Sequence, residues 1–226
     1  SAQVKSSLIL ASLSSGNSIR IEEPKVTRDH TEKMIEYCGG KIDVQNSSEG
    51  KIISLNKSDL SEISSYEVVG DFSSAAFIII AALISKKSKV LIKNVGLNTT
   101  RKGLLEVLLG MNANIKIVNQ RKTCNETCGD LIVESSNLEG IEVSDSIIPN
   151  IIDEIPILSV AASFAEGETV IKNASELKVK ESDRLKAISD GLEAMNIKHE
   201  MLEDGLIICG QNNNVSISKE IDSFGD

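Results

Sequence analysis

Aromatic residues are scarce in this sequence: no tryptophan, two tyrosines and four phenylalanines in 226 residues. Positive charge is also short, with 24 Lys and Arg against 33 Asp and Glu and a net charge of −9. A nucleic-acid surface needs a basic stripe and stacking rings, so the composition argues against that class. An anionic ligand must therefore be captured by a local cationic pocket and not by the global field. No apolar run reaches membrane-spanning length without a charge or a turn signal. No signal or transit segment is visible, although the sequence opens in mid-pattern. GxGxxG and Walker-type loops are absent, which leaves dinucleotide and P-loop folds unsupported. Cysteine is limited to Cys38, Cys124, Cys128 and Cys209, and histidine to His30 and His199. Cys124-x-x-x-Cys128 has no second pair to complete a zinc site and reads as a hairpin loop, so free thiols in a reducing cytosol are expected.

What the chain does contain is a repeated order of elements. A helix rich in small residues is followed by a strand, a linker with Arg or Lys, an amphipathic helix and two strands. The first copy reads 7–13, 18–22, 28–40, 41–44 and 51–55. The second reads 77–84, 89–94, 101–111, 114–118 and 130–134, and the third 157–164, 169–172, 180–195, 197–201 and 205–209. The equivalent arginines Arg28, Arg101 and Arg184 fall roughly 70–85 positions apart, an internal repeat. Strands and helices in a fixed order imply an α/β architecture. Small residues such as Ser73-Ser74-Ala75-Ala76 let helices approach closely and pack on several sides. The polar stretch 58–71, with a short strand expected at Tyr66-Glu67-Val68-Val69, reads as a join. It divides the chain into residues 1–70, part of one lobe, and 71–226, most of a second.

The densest chemistry lies at Glu176-Leu177-Lys178-Val179-Lys180-Glu181-Ser182-Asp183-Arg184-Leu185. Lys180 and Arg184 at i and i+4 share a face if the turn is helical. Two cations near a helix start suit a phosphate or carboxylate, with Glu181 placed to move protons. The plainer reading is a solvated helix start capped by Ser182. Ser1-Ala2-Gln3 leads into the first helix and either binds a polar ligand or caps. Thr27 caps a second helix with Asp29 and Glu32 in its first turn, and Arg28 points to water or to an anion. Asp153-Glu154 interrupts an apolar stretch, either as a helix cap or as a carboxylate held at a pocket floor.

In this order the stretches Ser1-Ala2-Gln3-Val4-Lys5-Ser6-Ser7, Thr27-Arg28-Asp29-His30-Thr31-Glu32, Gly70-Asp71-Phe72-Ser73-Ser74-Ala75-Ala76-Phe77, Asp153-Glu154-Ile155-Pro156 and Lys178-Val179-Lys180-Glu181-Ser182-Asp183-Arg184-Leu185 resemble the 5-enolpyruvylshikimate-3-phosphate synthases, the 3-phosphoshikimate 1-carboxyvinyltransferases. The resemblance runs along essentially the whole chain. It implies the two-lobed enolpyruvyl transferase fold of βαβαββ units, six in the family and about three here. It also implies transfer of the enolpyruvyl group from phosphoenolpyruvate to the 5-hydroxyl of shikimate 3-phosphate with release of phosphate, a step of the shikimate pathway. Ser1, Ala2, Gln3, Thr27, Arg28, Asp153 and Lys180 then fall on shikimate 3-phosphate, and Gln3 and Arg184 on phosphoenolpyruvate. Asp153 is the implied base at the 5-hydroxyl and Glu181 the implied acid at the methylene carbon. Thr27 stands where the family usually has serine, which keeps the hydroxyl. No metal or organic cofactor, no nucleic acid and no membrane is implied; the expectation is a cytoplasmic monomer at full length.

The family also carries a Lys-Ser pair and further arginines upstream, and an Asp-His-Arg motif of which Ser223-Phe224-Gly225-Asp226 supplies only the aspartate. The resemblance therefore implies a central segment, expected to be inactive alone because each missing cationic contact is worth roughly 1.5–3 kcal/mol. It is also expected to expose apolar surface. Rival readings are a UDP-N-acetylglucosamine enolpyruvyltransferase, disfavoured by the Lys-Glu-Ser-Asp-Arg and Gly-Asp-x-Ser-Ser-Ala-Ala motifs, and a non-catalytic folding or binding unit. An acidic scaffold with merely solvated charge runs is the third.

Overall fold

Each copy of the sequence repeat folds into one three-stranded sheet with its helices. The computed structural model describes residues 1–48, 50–57, 59–180, 182–212, 215, 220 and 221. The first unit comprises α1 (Ala2–Ser15), β1 (Ile19–Glu23), α2 (His30–Tyr37), β2 (Ile42–Ser47) and β3 (Gly50–Leu55). The second comprises α3 (Phe72–Ile84), β4 (Lys89–Gly96), α4 (Gly103–Gly110), β5 (Asn114–Thr123) and β6 (Glu126–Glu134). Next come the single turn α5 (Ile148–Ile151), then α6 (Ile155–Phe164), β7 (Glu166–Ile171), a 3-10 turn at Ser175–Val179, α7 (Arg184–Ala194), β8 (His199–Met201) and β9 (Leu206–Gln211).

The sheets share one topology. Their strand orders are β1-β3-β2, β4-β6-β5 and β7-β9-β8, with the last strand of each unit central and antiparallel to both neighbours. Strands two and three of each unit therefore form a hairpin, while the first strand must cross by way of a helix. Cys124 and Asn125 close the β5–β6 hairpin with positive φ values of 46° and 64°, a two-residue turn that matches strand twist. Among the described residues all four cysteines are free thiols.

The helical layers follow from small residues. α3 is apolar on nearly every face and buries Phe72, Ala75, Ala76, Ile79, Ile80, Ala82 and Leu83. It packs on α6, whose Ala161 and Ala162 admit close approach. The buried hydroxyls of α6 donate back to the previous turn, Ser159 Oγ to Ile155 O at 2.9 Å and Ser163 Oγ to Ser159 O at 2.8 Å. One large apolar cluster joins α3, α4, α6 and α7 to the second and third sheets. A separate small cluster of Ile9, Ile35, Ile53 and Leu55 holds the first unit. Val4, Leu8 and Leu10 of α1 and Phe77 and Ile78 of α3 are exposed, in line with the expected apolar surface.

Four local expectations are corrected. No strand forms over residues 66–69; Gly70 alone makes a parallel bridge to Val95, its N–H donating to Asn94 O at 2.7 Å. A Cβ on Gly70 would sit 2.9 Å from that carbonyl, so the close approach favours glycine there. Lys180 and Arg184 do not share a helical turn, because α7 begins at Arg184 and Lys180 is extended (φ −79°, ψ −157°). The α7 cap is Asp183, which accepts from Lys186 N at 3.1 Å, and not Ser182. Thr27 is likewise not the cap of α2; Asp29 occupies that position, without a side-chain capping bond.

Candidate active site

Asp153 sits on the turn between α5 and α6, fixed by the buried side chains of Ile151, Ile152 and Ile155 on either side. Anchoring of that kind holds a carboxylate at the edge of the core with little freedom to retreat. Four cations converge on it. Arg28 Nη2 donates to Asp153 Oδ2 at 2.8 Å, and Arg101 Nη1 stands 3.8 Å from the same oxygen. Lys180 Nζ and Arg184 Nη1 lie 3.7 and 3.6 Å from the other oxygen, Oδ1. The loop between the 3-10 turn and α7, and not a shared helical face, brings Lys180 and Arg184 to one atom.

The three arginines occupy equivalent places in the three units, each just before or at the start of the second helix. The repeat thus aims three like side chains at one point. Four cations gather there in a chain whose overall charge is −9, with Asp71 and Glu154 beside Arg101 and Glu176 Oε1 3.0 Å from Lys180 Nζ. At an effective dielectric of about 20, a unit charge at 4 Å feels each cation by about 4 kcal/mol before solvent screening. The arrangement is suited to capturing a doubly charged phosphate or a carboxylate.

Glu154, the next residue, does not cap α6. It stands at the cap position without a capping bond and is only 2% exposed. Its carboxylate accepts from the Ser73 hydroxyl and lies 3.9 Å from Arg101 Nη2. Burial pushes its carboxyl above the usual glutamate range, outweighing the Ser73 hydrogen bond and the Arg101 charge. Arg101 also donates to Ser73 Oγ, and its Nη2 is 3.2 Å from Asp71 Oδ1. Asp71 is the cap of α3, accepting from Ser74 N at 2.9 Å and Ser74 Oγ at 2.8 Å. Partial burial works against ionisation of Asp71, but the Ser74 and Arg101 contacts win and hold its carboxyl below the usual aspartate range.

A second polar cluster joins the first unit to the second. His30 Nδ1 is 2.5 Å from Glu126 Oε1, and the buried Asn98 amide donates to Asp29 Oδ1 at 2.7 Å and to Glu126 Oε2 at 3.3 Å. Lys33 completes it, 2.9 Å from Asp29 and 3.7 Å from Glu126. These bonds fix the start of α2, and hence Arg28, against the segment carrying Arg101. A cavity of about 250 Å³ lies beside them, lined in part by Tyr66, Val69, Phe72, Asp71 and Arg101.

Thr27 Oγ1 donates to Glu23 Oε1 at 2.5 Å, which ties it to a buried triad. Lys5 Nζ stands 2.9 Å from Glu23 and 2.7 Å from Glu32, all three side chains nearly inaccessible. Burial alone would lower the Lys5 ammonium, but the two carboxylates raise it above the usual lysine value. Ser1, Ala2 and Gln3 form the start of α1, where Ser1 makes no side-chain capping bond. Among the described residues they make no ion pair or side-chain hydrogen bond with the Asp153 cluster. Glu181 lies outside the described residues, as does Ser223–Asp226.

The structure therefore brings together Arg28, Asp153, Lys180 and Arg184 of the expected set and adds Arg101, Asp71, Ser73 and Glu154. Arg101 was visible in the sequence as the middle member of the arginine repeat. The roles of Ser73 and Asp71 carry no spacing signal of their own, since a capping aspartate and a small-residue helix explain them locally.

Geometry of this sort defines an α/β protein built from repeated units, with four cations gathered around one carboxylate. The family model for EPSP synthase (3-phosphoshikimate 1-carboxyvinyltransferase) matches residues 1–226. The chain belongs to the EPSP synthase family. It is 49% identical over 210 residues to a 3-phosphoshikimate 1-carboxyvinyltransferase of Petrotoga mobilis, covering 93% of this chain and 48% of the relative. It is 40% identical over 226 residues to one of Magnetococcus marinus, covering all of this chain and 50% of the relative. An EPSP synthase structure from Acinetobacter baumannii superposes with a TM-score of 0.85 at 39% identity, over 98% of this chain and 49% of that one. The chain spans about half the length of the curated relatives it matches. The enolpyruvyl transferase NikO from Streptomyces tendae, at 15% identity and TM-score 0.57 over 85% of this chain and 42% of that one, shares the fold.

Proposed function

We propose that this chain supplies part of the active site of a synthase that transfers the enolpyruvyl group of phosphoenolpyruvate to the 5-hydroxyl of shikimate 3-phosphate, releasing phosphate. The observation that carries the reading is the convergence of Arg28, Arg101, Lys180 and Arg184 on Asp153. The two curated relatives named above bear the 3-phosphoshikimate transferase name, which supports it, and neither bears the UDP-N-acetylglucosamine transferase name.

In this reading Asp153 takes the proton from the 5-hydroxyl as that oxygen attacks the second carbon of phosphoenolpyruvate. Glu181 delivers a proton to the methylene carbon, giving a tetrahedral adduct. Loss of phosphate and of one proton from the new methyl group restores the double bond in the product. Arg28 and Lys180 hold shikimate 3-phosphate with Ser1, Ala2, Gln3 and Thr27, and Arg184 and Gln3 hold phosphoenolpyruvate. The cations also steady charge developing on the leaving phosphate. Residues 1–70 form part of one lobe and 71–226 most of the second, a division supported by the two apolar clusters on either side of the Gly70 bridge. The protein acts as a cytoplasmic monomer. Among the described residues no helix is long and apolar enough to cross a membrane.

The test is calorimetric titration with shikimate 3-phosphate, with and without phosphoenolpyruvate, on a protein of the relatives' full length that contains this chain. Binding that tightens when both ligands are present is expected. Failure to bind either ligand refutes the reading.

A further inference from the structure

We infer that Arg101 is a positioning residue for Asp153, a cation tethered from behind that keeps one carboxylate oxygen occupied while the other is turned toward the acceptor. The inference rests on the proposed transferase reading and deepens it.

The four cations around Asp153 are not alike. Arg101 is the least exposed of them, at 12% against 43% for Arg28. Its Nη2 is committed to Asp71 Oδ1 at 3.2 Å and to the Ser73 hydroxyl, both on the first turn of α3 or at its cap. Asp71 is itself locked by Ser74 N and Ser74 Oγ. At the other end of the side chain, Arg101 N donates to Asn98 O at 2.9 Å in a turn whose buried Asn98 amide accepts from Thr100 N at 3.0 Å. Arg101 is thereby held at its backbone and at its guanidinium, and only Nη1 faces Asp153, 3.8 Å from Oδ2.

Oδ2 is shared by Arg28 and Arg101, and Oδ1 by Lys180 and Arg184. An anionic ligand that draws Arg28 away leaves Arg101 in place, because moving it breaks its bonds to α3. The carboxylate then stays oriented through Oδ2, with Oδ1 on the side of Lys180 and Arg184. Ser73 matters for the same reason, since its hydroxyl bridges Arg101 and the buried Glu154.

The experiment is steady-state kinetics of phosphate release by the full-length protein and its Arg101→Gln, Arg101→Lys, Arg101→Ala and Ser73→Ala variants, with thermal melting of each. Arg101→Gln is expected to lower kcat by about 100-fold with both KM values within about threefold of the parent. Arg101→Lys recovers part of the loss, free guanidinium restores turnover to Arg101→Ala, and Ser73→Ala shows a smaller loss of the same kind. A raised KM for either substrate with kcat retained makes Arg101 a binding residue and overturns the inference. Unchanged kinetics, or loss tracking a lowered melting temperature without guanidinium rescue, overturns it as well. Absence of turnover in the unsubstituted protein refutes the transferase reading itself and is distinguished by that control.

Discussion

Replacing Asp153 by asparagine separates binding from chemistry at the site. The substitution keeps the shape of the side chain and removes the carboxylate that all four cations share. Arg28 contributes a 2.8 Å pair in which both partners are partly exposed, so its contribution lies in the range of about 0.2–1 kcal/mol. Arg101, Lys180 and Arg184 stand 3.6–3.8 Å away and add less each. Together they amount to about 1–2 kcal/mol that an incoming anion must offset when it draws the cations to itself, or about 5–30-fold in affinity. Asp153→Asn is therefore expected to bind inorganic phosphate and shikimate 3-phosphate about 5–30-fold more tightly, while kcat falls by about 10²–10⁴ through loss of the base. Calorimetry gives the first quantity and phosphate release by the full-length protein the second. Weaker phosphate binding would refute the picture of cations held by Asp153, and retained turnover would remove Asp153 as the base.

Arg28→Ala should raise the KM for shikimate 3-phosphate by about 10–100-fold, the loss of a charge-assisted contact worth roughly 1.5–3 kcal/mol, and an unchanged KM would take Arg28 off the ligand. Glu154→Gln tests the buried carboxyl. Because its folded value lies above the ordinary one, the parent binds a proton more tightly folded than unfolded, and its stability falls as pH rises between the two values. The glutamine variant lacks that slope, so its melting temperature relative to the parent should climb as pH is raised from acid to neutral, and the opposite trend would contradict the assignment. Lys5→Met strands two buried carboxylates, Glu23 and Glu32, and should cost about 3–5 kcal/mol in urea denaturation. The triple change Lys5→Met, Glu23→Gln, Glu32→Gln should recover most of that, and a single variant as stable as the parent would refute the role of the triad.

Periodicity located all three units because apolar strands and small-residue helices alternate in the same order three times, and the structure keeps that order with one sheet topology. What failed was local. Tyr66-Glu67-Val68-Val69 has strand composition, yet a strand needs a partner, and only Gly70 reaches β4 closely enough to bond. Lys180 and Arg184 at i and i+4 suggested a shared helical face, but Asp183 caps α7 just before Arg184 and leaves Lys180 on the extended approach. Glu154 had two open readings, cap or pocket floor, and the structure removes the first, since the buried carboxylate bonds to Ser73 and makes no capping bond. The Lys5 triad gave no signal, since three charged residues at positions 5, 23 and 32 meet only after α1 and α2 pack beside the first sheet.

The arginine repeat explains how an acidic chain builds a cationic site without a basic surface. A single helix start carries about half a unit of positive charge, less than one guanidinium. Three units whose second helices begin near one point deliver three arginines there, and Lys180, at the end of the 3-10 turn before α7, adds a fourth cation. Those four would repel one another across a few ångströms, and Asp153 at their centre relieves that repulsion together with Asp71 and Glu154 beside Arg101 and Glu176 beside Lys180. Residues elsewhere keep the geometry: Asn98 and Glu126 fix the start of α2, while Asp71 and Ser73 fix Arg101. The same carboxylate that makes the cluster stable when empty is the group proposed to accept the proton when it is full. Exchange of Asp153 for the ligand's anions as the partner of the cations is thus the central event of the proposed mechanism.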